Sequence, residues 1–99
     1  MSNYTTLKLL FTALQGSLPY EYDEKYFNGA GLGDAIIISK TSPERSIYIT
    51  KNMPYENNIF DITLYDDTYD DDPIEIWQWD ADDPNLTLID IIAYIEKNL

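Results

Sequence analysis

The sequence predicts an α+β domain: a four-stranded antiparallel β-meander with an N-terminal and a C-terminal α-helix packed on one face. Three observations carry that expectation. Apolar residues recur at helical spacing at both ends of the chain, four short alternating or β-branched runs lie between them, and the connections between those runs are short. Short connections favour antiparallel neighbours, and two one-sided helices both need an apolar sheet face to cover.

Taken in order, residues 4–15 (YTTLKLLFTALQ) place Leu7, Leu10, Phe11 and Leu14 at i, i+3, i+4 and i+7, a one-sided helical stripe. Ser2 or Asn3 is the expected cap and Gly16 the expected stop. Residues 17–34 (SLPYEYDEKYFNGAGLGD) keep no period and read as irregular, with room for one helical turn around 23–27. AIIIS (35–39) is a β-branched run, RSIYIT (45–50) alternates through Ile47 and Ile49, and IFDITLY (59–65) alternates through Phe60, Ile62 and Leu64. PIEIWQW (73–79) is the fourth strand. Ser42, Pro43 and Glu44 suit a tight hairpin, residues 52–58 a longer loop, and DDTYDDD (66–72) a hairpin tip. For the last helix, Asp83 is the expected cap, Pro84 the first helical residue, Leu88, Ile91, Ile92 and Ile95 the buried stripe, and Lys97 the basic last turn. The expected core joins Leu10, Phe11, Leu14, Ile47, Ile49, Ile62, Leu64, Ile91, Ile92 and Ile95.

A chain of 99 residues supports one core, so residues 1–99 read as a single small acidic domain. An apolar share of 44% is enough for that core to form despite the charge. The chain has neither cysteine nor histidine, which removes disulfides, thiolate chemistry, Ser-His-Asp arrangements and the usual transition-metal ligands. A protein that is not an enzyme and holds no cofactor is the expectation. The start MSNYTTLKLL lacks the basic and apolar regions of a secretory leader, and no stretch approaches the ~18 apolar residues of a membrane span. A cytoplasmic location follows as the expectation.

Charge is the most informative feature. The formal charge is -12, and residues 51–99 hold thirteen acids against Lys51 and Lys97, whereas residues 1–50 hold five against four bases. Nearly the whole field comes from the second half, and it costs the fold self-repulsion. With so few cations to neutralise phosphates, neither nucleic acid nor an anionic membrane is an expected ligand.

The glycines of NGAGLGD (28–34) lead into a strand rather than a helix and no Lys-Ser or Lys-Thr follows, so they read as a turn or bulge and not as a phosphate loop. An EF-hand begun at Asp66 would put Asp71 at the obligatory glycine and Trp77 at the bidentate glutamate. That pattern fails, which leaves only the weak cation binding of any carboxylate cluster. A glycosidase-type carboxylate pair carries no specificity in so acidic a chain.

Residues 65–83 nevertheless hold nine acids and no base, more than turns require. Folded as a hairpin, the ten acids of residues 61–83 would span roughly 23 Å, about one charge per 2.3 Å against ~1.7 Å in duplex DNA. The expected function is therefore nucleic-acid mimicry: an acidic inhibitor that blocks the basic groove of a nucleic-acid-binding protein or nuclease. The expected contact residues are Asp61, Tyr65, Asp66, Asp67, Tyr69, Asp70, Asp71, Asp72, Glu75, Trp79, Asp80 and Asp82. Trp77 and Trp79 share one face of their strand and read either as core or as a partner anchor; Tyr48 and Tyr94 are expected at the core edge. Being small, very acidic and mixed α/β, the chain resembles in character phage-encoded DNA mimics that block CRISPR effectors or restriction enzymes. An immunity protein for a bacterial nuclease toxin and an acidic assembly adaptor for a basic protein are the alternatives.

Overall fold

The computed structural model describes residues 6–18, 22–28, 34–40, 45–51, 58–66 and 73–99. Two helices flank five strands in the order α1 (Leu7–Gln15), β1 (Asp23–Phe27), β2 (Ala35–Ser39), β3 (Arg45–Lys51), β4 (Ile59–Asp66), β5 (Pro73–Asp80) and α2 (Leu88–Asn98). All five strands form one antiparallel meander in which every strand pairs with its neighbour in sequence. The architecture is the expected one with a strand added. The radius of gyration, 12.9 Å, is close to the ~13 Å of a folded chain this long. Among the described residues no helix is long and apolar enough to cross a membrane.

β1 replaces the irregular segment expected at 23–27. Its inward positions are Glu24 and Tyr26, so it lacks the alternating aliphatics that announce a strand. What holds it is pairing with β2 and a ring contact of Tyr26 with Phe11 of α1, centroids 5.4 Å apart. Tyr22, just before it, is buried, with the Lys40 ammonium over its ring.

Alternation in β2, β3 and β4 turns Ile36, Ile38, Ile47, Ile49, Phe60, Ile62 and Leu64 to one face, with Ser46 of β3 buried as well. Both helices cover that face. Leu7, Leu10 and Leu14 from α1, and Ile91 and Ile95 from α2, join it in a single buried cluster, with Phe11 and Ile92 partly buried against it. α1 lies toward β1 and β2, and α2 toward β5, where Tyr94 meets Trp77 at 5.2 Å between ring centroids.

Both helix starts differ from the sequence expectation. α1 begins at Leu7, capped by the Thr6 hydroxyl, which accepts from the Leu9 N–H at 3.2 Å, and not by Ser2 or Asn3. Gly16 closes it as expected. α2 begins at Leu88, not Pro84, because Thr87 and Asp90 form the stronger start: the Asp90 carboxylate accepts from the Thr87 backbone N–H at 2.7 Å. Asp83 is instead a turn residue, its Oδ1 accepting from the Asn85 N–H at 2.9 Å and its carbonyl from the Leu86 N–H. The expected hairpin at 42–44, the glycines of 29–33 and most of the expected loops at 52–58 and 66–72 lie outside the described residues.

Candidate protein-binding surface

Register decides where the acids go. In the β4–β5 hairpin Tyr65 stands opposite Pro73 at one end and Ile59 opposite Asp80 at the other. The span between Ile59 and Asp66 is seven residue steps, roughly 23 Å. Asp66 therefore sits at one end, while Asp80, Asp82 and Asp83 gather at or beyond the other. Asp61 is two residues in from that second end, opposite Gln78 and Thr50. Among the described residues, the expected contact acids Asp66 and Asp80 stand at opposite ends of the hairpin, with Arg45 of β3 directly across from Asp66. Asp67, Tyr69, Asp70, Asp71 and Asp72 lie outside the described residues.

At the Asp80 end the carboxylates also shape the chain. Asp80 Oδ1 accepts from the Asp82 N–H at 2.9 Å, and the Asp82 carboxylate accepts from Asn58 Nδ2 at 3.1 and 3.3 Å. Together with the Asp83 turn, these bonds steer the chain from β5 toward α2. Each of these donors is neutral, so the turn is built without cancelling formal charge.

Two of the expected contact residues belong to the helix side of the sheet. Trp79 is 1% exposed and packs on Phe60, ring centroids 6.0 Å apart, so it is a core residue and not a partner anchor. Trp77 beside it is half-buried under Tyr94. The reason is size: the two faces of β5 offer either Glu75, Trp77 and Trp79 or Ile74, Ile76 and Gln78, and the indoles bury more apolar area. Glu75 shares the indole face at the strand's open end, where its Oε1 accepts from the Tyr94 hydroxyl at 2.6 Å. Glu75 is thus engaged in holding α2 to β5. Burial raises the Tyr94 phenol well above its ordinary range, with the Glu75 bond and charge adding to the shift.

Burying the indoles leaves the other face of β5 in solvent. Ile74 and Ile76 are 51% and 60% exposed. Across the same face stand Thr63 and Tyr65 of β4 and Tyr48 of β3, the tyrosines in edge contact at 5.1 Å and 73°. Tyr48, expected at the core edge, is on this open face. Phe27 is exposed at its far edge. An aromatic and aliphatic centre with acids toward its ends has the anatomy of a protein interface. Sequence reasoning passed over Tyr48, Ile74 and Ile76, although the greater area of the indoles already implied which face of β5 stays outside.

Away from this surface, Glu24 Oε1 is buried with no hydrogen-bond partner among the described residues. Burial raises its carboxyl above 4.5, and the neighbouring Asp23 charge adds to the effect. In the unfolded chain the group ionises near 4.5, so between that value and its higher native one the folded state binds the extra proton. Stability from this group is therefore fully present below the unfolded value and lost as pH rises through the native one. Glu24→Gln is expected to be more stable than the wild type in urea at pH 7, with the gap closing as pH falls toward 4.5. A gap that stays constant with pH would show that ionisation is not its cause. Burial, followed by a bond donated to Asp34, likewise pushes the Tyr26 phenol up to about 12.

Among the described residues no three carboxylates converge on a point that could hold a metal ion. No family model matches the chain, and neither a curated protein nor a solved structure does.

Proposed function

We propose that this protein is a non-enzymatic inhibitor that occupies the basic groove of a nucleic-acid-binding protein or nuclease, in the manner of phage anti-defence DNA mimics, and that it works in the cytoplasm without a cofactor. One observation carries the reading. From residue 52 to residue 96 the chain has no Lys or Arg, and the β4–β5 hairpin within that stretch sets Asp66 and Asp80 roughly 23 Å apart beside an exposed aromatic and aliphatic face. Carboxylates at that distance match the axial separation of phosphates about seven base-pair steps apart, at ~3.4 Å of helix axis per step. Between them, Tyr48, Tyr65 and Ile76 offer contact area where a bare charge cluster would offer none.

The protein is incubated with lysate of its host, and what it retains at low salt is isolated and challenged with DNA and RNA. Mimicry requires the retained protein to bind nucleic acid and to be displaced by it. If the main partner lacks a basic groove, or holds nucleic acid and inhibitor together, the reading fails and an adaptor for a basic protein replaces it.

A further inference from the structure

We infer that the outer edge of β5 is a docking site for an extended basic segment of a partner protein, which joins the sheet as a sixth strand. The sheet order leaves β1 and β5 at the two edges, and among the described residues β4 is the strand paired with β5. The two edges differ. β1 has five residues and carries the exposed Lys25–Asp23 ion pair, both of them devices that discourage further pairing. β5 has eight residues, and after Pro73 at its first position it has no Lys, Pro or Gly. A strand of that length presents a ladder of outward amides and carbonyls, and Ile74 and Ile76 stand exposed along it.

Charge selects the occupant. β5 carries Glu75 and Asp80, and the chain holds no Lys or Arg between Lys51 and Lys97. A second copy would bring one charge of -12 onto another. An incoming strand with basic side chains meets attraction instead, and its apolar residues cover Ile76 on the open face. The inference rests on the proposed function only for the sign of the partner's charge.

The test uses the full chain, labelled with nitrogen-15, and a peptide of β5's own length that alternates Val and Arg. Amide exchange at the outward positions of residues 74–78 is expected to slow by about tenfold or more at saturating peptide. The same peptide N-methylated at alternate residues keeps its charge but cannot complete the ladder, and is expected to give no protection. Ile76→Lys, at a position already in solvent, is expected to abolish protection while leaving the fold intact. Equal binding of the N-methylated peptide would reduce the effect to charge alone and overturn the inference. Protection confined to β1, or a stable dimer of the free protein, would overturn it as well. None of these outcomes depends on whether the natural partner binds nucleic acid, so the groove reading and the edge site fail separately.

Discussion

Trp79→Ala is expected to cost about 3 to 5 kcal/mol in urea unfolding, the range for deleting a large buried aromatic. A domain of this size has about 5 to 15 kcal/mol in all, so the variant stands near the limit of folding at 25 °C. The side chain is 1% exposed against Phe60, and truncation leaves a cavity in the shared buried cluster. Ile76→Ser, three residues earlier on the opposite face, is expected to change stability by no more than about 0.5 kcal/mol. The pair of variants tests the orientation of β5 directly. Equal costs, or a larger cost at Ile76, would mean that the strand faces the other way and that the open surface described here does not exist.

Neutralising acids of the run 66–72 should show in kinetics before it shows in affinity. Combining Asp66→Asn, Asp67→Asn, Asp70→Asn and Asp71→Asn removes four charges from the chain, and association with the partner is expected to slow by about tenfold at low salt, within the range electrostatic steering supplies. Between about 0.05 and 0.5 M NaCl the Debye length shrinks from roughly 14 to 4 Å. The wild type should slow steeply over that range and the variant much less. Its stability should hold or rise, because like charges have been removed. Unchanged association, or a variant that unfolds, would mean that these carboxylates serve the fold and that the partner is not captured by charge. Asn also suits Asp80 and Asp83, because its side-chain carbonyl can still accept the turn's N–H groups while the charge is gone.

Most of the fold was legible because its elements keep their periods. Leu7, Leu10 and Leu14 mark a helix face, and Phe60, Ile62 and Leu64 a strand face, with no competing pattern. β1 escaped notice because an edge strand needs few buried residues, and its inward positions hold a glutamate and a tyrosine. The start of α2 was ambiguous in a different way. Asp83-Pro84 and the Thr87 to Asp90 spacing are both valid helix openings, and the choice falls to the second because the chain needs residues 81–87 to travel from β5 to the helix side of the sheet. For the candidate surface, the sequence displayed the quantity of charge but not its partition. That partition follows from register: one pairing places Asp66 and Asp80 at opposite ends of a hairpin, and the pleat turns Glu75 under α2 while Asp61 faces out.

A sheet in which each strand pairs only with its neighbour in sequence sets the order of assembly as well as the final shape. Contacts are short in loop length, and each helix packs near strands close to it along the chain, so little closure entropy must be met before contacts form. The nearly neutral half, α1 through β3, can condense first around Ile36, Ile38, Ile47 and Ile49. The strongly acidic half then adds to an existing template, β4 along β3 and β5 along β4, and its mutual repulsion is met by surface already in place. Run from the other end, the same chain would have to collapse its most repulsive segment unaided. The meander thus gives a protein with a heavy anionic load a rapid route to its native state.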